Sequence, residues 1–144
     1  MDAKESVGCK LIQSSATFDG KQGFTYLAGV SASSAGARGI SMNMLTIPPG
    51  GRGRAHKHER HETAIYTLSG EVHTWWGEHL EEHIVAGAGD FVFIPPGVPH
   101  LPVNLGPEPA VCLIARTDAS EQESVVLLPD LESCVPDLAA RPAA

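Results

Sequence analysis

The sequence predicts an all-β fold, a sandwich or small barrel, on three observations. Gly and Pro number 15 and 11 in a chain of 144 residues, a frequency that cuts it into short segments and argues against a helical bundle. About nine apolar stretches recur at intervals of roughly eight to twelve residues, each closed by a turn signal. No amphipathic helical pattern of useful length interrupts them. With 42% hydrophobic and 19% charged residues, the chain has room for one ordinary domain, expected over residues 1–144 with no linker that would divide it.

Taken in order, residues 1–23 read as an N-terminal arm with one or two weak strands, Val7–Ile12 and Ala16–Phe18. Phe24–Val30 is a short apolar strand that ends in a small-residue loop, residues 31–36. Ile40–Ile47 is a strand stopped by Pro48-Pro49-Gly50-Gly51, because proline cannot donate to a ladder and glycine admits a turn. Thr63–Leu68 stops at Ser69-Gly70, and Glu71–Trp76 stops at Gly77. Glu82–Val85 precedes the turn at 86–89, and Phe91–Ile94 is stopped by Pro95-Pro96-Gly97. Leu101–Asn104, Ala110–Arg116 and Val125–Leu128 complete the set. The C-terminal tail, 129–144, is expected to hold at most a helical turn or to fray.

Charge and cysteine usage narrow the function classes. Ten Lys and Arg against 17 Asp and Glu leave a formal charge of −7, so neither nucleic acid nor anionic lipid is an expected partner. No apolar run approaches the ~20 residues that cross a bilayer. The acidic opening Met1-Asp2-Ala3-Lys4-Glu5 lacks a secretory h-region, and the expected location is cytoplasmic. Cys9, Cys112 and Cys134 are far apart and form no CxxC pair, so they read as reduced thiols, Cys112 inside an apolar strand.

The histidines carry the chemistry. His56 and His58 stand at i and i+2 of an extended segment, so both rings point to one face and can chelate one metal ion. If a bulge or turn falls between His58 and His61, and strand phase then runs 61, 63, 65, His61 joins Thr63 and Ile65 on one face, while Glu62 shares the opposite face with Ala64 and Tyr66. His100 follows Pro95-Pro96-Gly97-Val98-Pro99, a rigid turn that fixes its approach. Imidazole suits zinc, iron, nickel and copper. His73, His79 and His83 flank a turn rich in Glu and Trp and read as a solvated hairpin. No serine or cysteine nucleophile has a plausible partner, so covalent catalysis is not expected.

At this point the chain resembles the cupin superfamily. The second cupin motif is matched at each fixed position by Gly89, Pro95-Pro96-Gly97, His100 and Asn104. The first is matched by Gly50, His56, His58, Glu62 and Gly70, and the two motifs span a core at 50–104. The resemblance implies a single jelly-roll domain with one divalent metal. One departure stands out: seven residues separate Glu62 from Gly70 where the motif has six, so Thr63 occupies the position of the cupin glutamate. A one-residue slip turns a side chain to the other face of a strand. Either a bulge returns Glu62 to the interior as fourth ligand, or His61 replaces the carboxylate. The preferred expectation is a site of His56, His58, His61 and His100, with Glu62 as the alternative to His61. An all-nitrogen set leaves the full charge on the ion and favours Lewis-acid chemistry, with zinc first and iron, nickel or manganese behind it.

A narrower resemblance joins His61–Gly70 and Ala115-Arg116-Thr117-Asp118 to small bacterial cupins that include the polyketide cyclases of resistomycin-type aromatic pathways. It implies a metal-dependent cyclase acting on a small-molecule poly-β-ketone by aldol condensation, the ion polarising a carbonyl and its bound water serving as base. The alternatives are an iron-dependent dioxygenase and a non-catalytic small-molecule-binding cupin. Expected wall residues are Met42, Met44, Ile65, Trp75 or Trp76, and either the Phe91/Phe93 or the Val92/Ile94 face. A homodimer is also expected, through edge strands at 7–30 and Val125–Leu128.

Overall fold

The computed structural model describes residues 8–120 and 124–136. Eleven strands run in chain order: β1 (Thr17–Asp19), β2 (Thr25–Val30), β3 (Ser41–Ile47), β4 (His56–His58), β5 (Thr63–Ser69), β6 (Glu71–Trp76), β7 (Glu82–Gly87), β8 (Phe91–Ile94), β9 (His100–Val103), β10 (Ala110–Arg116) and β11 (Val125–Leu127). They form two antiparallel sheets, ordered β1-β2-β3-β10-β5-β8 and β11-β4-β9-β6-β7. No helix among the described residues is long and apolar enough to cross a membrane.

Alternation along the central strands builds the interior. In β10, Ala110, Cys112, Ile114 and Arg116 are buried, and in β3 Ser41, Asn43, Leu45 and Ile47 are buried. The main core joins Phe24, Tyr26, Leu45, Ile47, Val72 and Ile114 between the sheets. A second cluster, Ala55, Leu80, Leu101, Val103 and Val135, lies on the other face of the five-stranded sheet, where Leu128 and Leu131 pack against it. Leu131 belongs to a 3₁₀ helix, Pro129–Cys134, which is the helical turn expected of the tail; residues 137–144 lie outside the described residues.

The remaining differences from expectation are local. No strand forms at 8–12, and Val7 lies outside the described residues. The loop at 31–36 contains a one-turn helix, α1 (Ala32–Ala35), closed at its start by a Ser31–Ser34 capping box and at its end by Gly36 at φ 72°. Small residues conceal such a turn because it has no apolar face to display. Met42 and Met44 were expected in the wall, yet they point outward. Leu45 and Ile47 set the phase of β3, and the polar Ser41 and Asn43 turn inward with them. Asn43 is accommodated because its Oδ1 accepts the Gly29 N–H at 3.0 Å. Phe91 and Phe93 likewise face outward, while Val92 and Ile94 line the interior.

Two motif residues hold the frame rather than the site. Gly70 adopts φ 78°, and a Cβ there would stand 2.5 Å from the Pro109 carbonyl oxygen and 2.6 Å from Ala110 Cα. Asn104 is fully buried and donates through Nδ2 to the carbonyls of Ile47 (2.9 Å) and Glu108 (2.8 Å), while its Oδ1 accepts from Gly106 N–H (2.9 Å). It therefore ties the end of β3 to the loop before β10. Asn104→Ala strands two carbonyls and an N–H, and a loss of roughly 2–4 kcal/mol is expected. Thermal denaturation should show the loss while metal content stays at the wild-type level.

Candidate metal centre

β4 is three residues long, and its position decides the site. It lies between β11 and β9, with His58 opposite Val125 and His56 opposite His100. His56 and His58 share one face of this strand, as i and i+2 must, and His100 meets them from the next strand. The ligating atoms of His56, His58 and His100 lie within 4.8 Å of one another, and all three residues are buried. Ring centroids are 4.2 Å apart for His56–His100, 5.0 Å for His56–His58 and 5.4 Å for His58–His100.

Backbone carbonyls set the tautomers. His56 Nδ1 is 2.7 Å from the Arg54 carbonyl oxygen, and His100 Nδ1 is 3.0 Å from that of Val98. A carbonyl only accepts, so each Nδ1 carries the proton and each Nε2 keeps its lone pair for a ligand. Burial holds all three rings neutral: desolvation pushes His56 and His58 well below the ordinary imidazole range and His100 down to about 4. The nearby Arg116 guanidinium pushes each of them the same way. Neutral imidazoles gathered at this spacing are the donor set a divalent transition metal requires, so the residues present fit one.

His61 is buried against this group, its ring 4.5 Å from that of His58, but it is outside the set of three. Its Nδ1 is 2.8 Å from Ser124 Oγ and 3.5 Å from Asp118 Oδ2, and its buried Nε2 has no partner. Burial and Arg116 lower its pKa, and Asp118 partly offsets them. Glu62 is exposed and joins no cluster; its backbone N–H donates to Thr117 Oγ1 at 2.9 Å. No bulge turns it inward, since β5 pairs in regular register with β8 from Thr63 to Tyr66. The irregularity in the β5–β10 pairing falls instead at Val111/Cys112, across from the far end of β5.

Thr63, at the position of the motif glutamate, is buried and faces the cavity with Oγ1 unpartnered. The cavity is lined by Phe24, Leu45, Ile65, Val92, Ile94 and Ile114 among others, together with His56, His58 and His100. Among the described residues its lining holds no carboxylate and one permanent cation, Arg116. Arg116 was not singled out in the sequence; the signal available was an arginine at the last inward position of an apolar alternating strand. A shallower apolar hollow adjoins the cavity at His100 and brings in Trp76, Ile84, Phe93, Pro95 and Val98. Trp75 instead stacks on His83 at 4.4 Å, on the other face of the sheet. His73 and His83 pair there at 2.9 Å, and neither they nor His79 reach the centre.

The pattern of the Cupin domain family matches residues 43–116. Solved structures share the fold. An oxalate decarboxylase from Lactobacillus farciminis in complex with formate superposes with a TM-score of 0.66 at 21% identity, over 84% of this chain and 36% of that one. An oxalate oxidase in complex with glycolate gives 0.63 at 23% identity, over 74% of this chain and 56% of that one. A double-stranded β-helix protein from Klebsiella pneumoniae gives 0.60 at 18% identity, over 86% and 91%. This chain thus spans little more than a third of the decarboxylase and just over half of the oxidase. No curated protein matches the sequence.

The metal-free protein is expected to lose stability as the pH falls below 6.5. Each buried ring has a lowered pKa in the fold, so the unfolded chain binds more protons between that value and 6.5, and protonation favours unfolding. For His100, from 6.5 to about 4, the contribution is about 3 kcal/mol, lost progressively across that interval. Melting curves of the chelated protein from pH 7 to 4.5 should slope downward, with a shallower slope for His100→Gln. A flat profile would refute the neutral buried cluster.

Proposed function

The chain belongs to the cupin-domain family, and on that premise we propose that it is a cytoplasmic, metal-dependent polyketide cyclase whose ion is zinc, held by His56, His58, His61 and His100. The observation that carries this reading is the donor set: buried neutral imidazoles converge in an apolar cavity whose lining contains no carboxylate. The unpartnered Nε2 of His61 supports its membership, because a buried ring nitrogen without a partner is costly unless something binds there. Asp118 and Ser124 hold that ring by its other nitrogen, the arrangement by which an outer carboxylate orients a ligating histidine.

When bound, a divalent ion supplies Lewis-acid polarisation of a carbonyl and a water of lowered pKa. The chain's own residues do the rest. Phe24, Leu45, Ile65, Val72 and Ile114 exclude bulk water and give a flexible poly-β-ketone an apolar surface to fold against. The hollow beside His100, with Trp76 and Ile84, extends that surface for the part of the chain that does not react. An iron-dependent oxygenase is the competing reading, suggested by a fold shared with an oxalate oxidase.

Metal analysis separates these readings. The purified protein should carry one zinc, retained in Glu62→Ala and lost in His56→Ala. Zinc affinity should fall roughly tenfold or more in His61→Ala, and on the order of tenfold to a hundredfold in Asp118→Ala. Ring closure of a poly-β-ketone, followed by mass spectrometry, should stop on chelation and resume with zinc. Oxygen uptake in step with substrate loss would displace the cyclase reading.

The expected homodimer belongs to the same proposal, and a sheet face offers it a surface beside the edge strands. β1 and β11 are edge strands, each paired on one side within the chain. The outer face of the six-stranded sheet carries two uncharged cross-strand rows, Phe91–Tyr66–Leu113–Met44–Leu27 and Phe93–Ala64–Ala115–Met42–Val30. Phe91 is 80% and Phe93 60% exposed. Rows without charge suit the same rows of a second copy, since a two-fold contact must be self-complementary. Light scattering should give a dimer mass, and Phe91→Glu with Phe93→Glu should give a monomer.

A further inference from the structure

Arg116 is the one charged residue of the cavity that no protein group neutralises. It is 4% exposed, at the inward-facing end of β10, and its Nε and Nη1 are buried without a hydrogen-bond partner. Among the described residues no carboxylate forms an ion pair with it. The guanidinium lies 5.8 Å from the centroid of the Tyr26 ring, which packs on Phe18 and whose hydroxyl accepts from Gln22 Nε2 at 2.6 Å. Tyr26 thus meets the cation through its ring and through a side-chain hydrogen bond, which hold the guanidinium in place but do not discharge it. Isolated buried charge costs several kcal/mol in general, and natural folds retain it where something binds.

The sheet register explains how the charge is left free. Thr63 on β5 is the direct cross-strand neighbour of Arg116 on β10. The motif that the chain otherwise follows puts a glutamate at this position. A carboxylate there would neutralise Arg116 and crowd the histidines at once. Threonine does neither, so a permanent cation and the imidazole cluster face one cavity together.

We propose that Arg116 is the anchor for an anionic oxygen of the ligand, so that the protein takes its substrate as a carboxylate or an enolate rather than as a neutral ketone. This deepens the reading of the cavity as a substrate chamber and rests on it, but recognition by Arg116 does not need the ion. The ligand spans two points: its anionic oxygen at Arg116 and a second oxygen toward the histidines, with its apolar body along Ile65 and Ile114. Thr63 is a positioning residue here, since it acts by withholding a carboxylate from Arg116.

The test is calorimetric binding to the full-length protein, metal-free and zinc-loaded, with three probes: benzoate, its neutral methyl ester, and dimedone, a cyclic β-diketone that is an enolate at neutral pH. Metal-free wild type should bind at least one anion tenfold or more tighter than the ester. Benzoate preference identifies a carboxylic acid, dimedone preference an enolised β-dicarbonyl, and either supports the proposal. Arg116→Met should abolish the preference and melt no lower than wild type, because it removes an unpaired buried charge of similar volume. Thr63→Glu should abolish it as well with Arg116 in place, by pairing with it. Equal binding of ester and anions by wild type, or an anion preference that survives in both variants, would overturn the proposal. Intact anion preference in a protein that takes up no zinc would sink the metal reading and leave this one standing.

Discussion

The site depends on one backbone register: His56 of β4 lies opposite His100 of β9. Directly opposed residues of an antiparallel pair bring their side chains together on one face, and the i, i+2 relation adds His58 to that face. With β4 three residues long, the pair has little ladder of its own to secure it. It is secured from outside, by β11 along its other edge and by the Leu101 and Val103 cluster beneath. The Pro95–Pro99 turn and the carbonyls of Arg54 and Val98 then fix ring direction, so geometry and tautomer come from the same short segments.

That register places polar groups where burial is expensive, and the interior is organised around the expense. His58 Nδ1, His61 Nε2, Thr63 Oγ1 and two Arg116 nitrogens are buried without partners, within a sheet pair whose other inward residues are mostly apolar. Buried polar atoms of Gln22, Ser41 and Asn43 also lack partners, whereas Asn104 is served by three hydrogen bonds. The concentration of such groups around the histidines and Arg116 marks a place where stability has been exchanged for binding. The surrounding apolar lining strengthens every electrostatic interaction made there, attractive or repulsive.

The charge pattern of that cavity separates this chain from the motif it follows. Thr63 stands at the motif's carboxylate position, and Glu62 points into solvent. Among the described residues the cavity lining therefore offers neutral nitrogens and a guanidinium and no carboxylate, with Asp118 standing behind His61. An ion held there would keep its full positive charge, and any ligand entering would meet two electrophilic points. A chain of net charge −7 thus encloses a cavity of the opposite sign, a contrast that overall composition conceals.

The order of the elements and most of their limits were legible in the sequence. Period-two alternation and Gly/Pro punctuation are local properties, which is why β6, β8 and β10 fall where the turn residues place them. The pairing of His56 with His58, the inward phase of Thr63 and the outward phase of Glu62 were legible for the same reason. Phase was misjudged in β3, where both faces carry large apolar side chains and only packing against β2 and β10 decides which of Met44 and Leu45 turns inward. Arg116 went unnoticed because a charged residue at a strand end reads as solvent-facing until the opposite strand is known. The sequence by itself determined which residues could face one another along each strand. Only the tertiary structure decided which strands lie side by side, and hence that His100 meets His56 and that Arg116 meets a threonine, because pairing between distant strands is settled by the collective burial of both sheets.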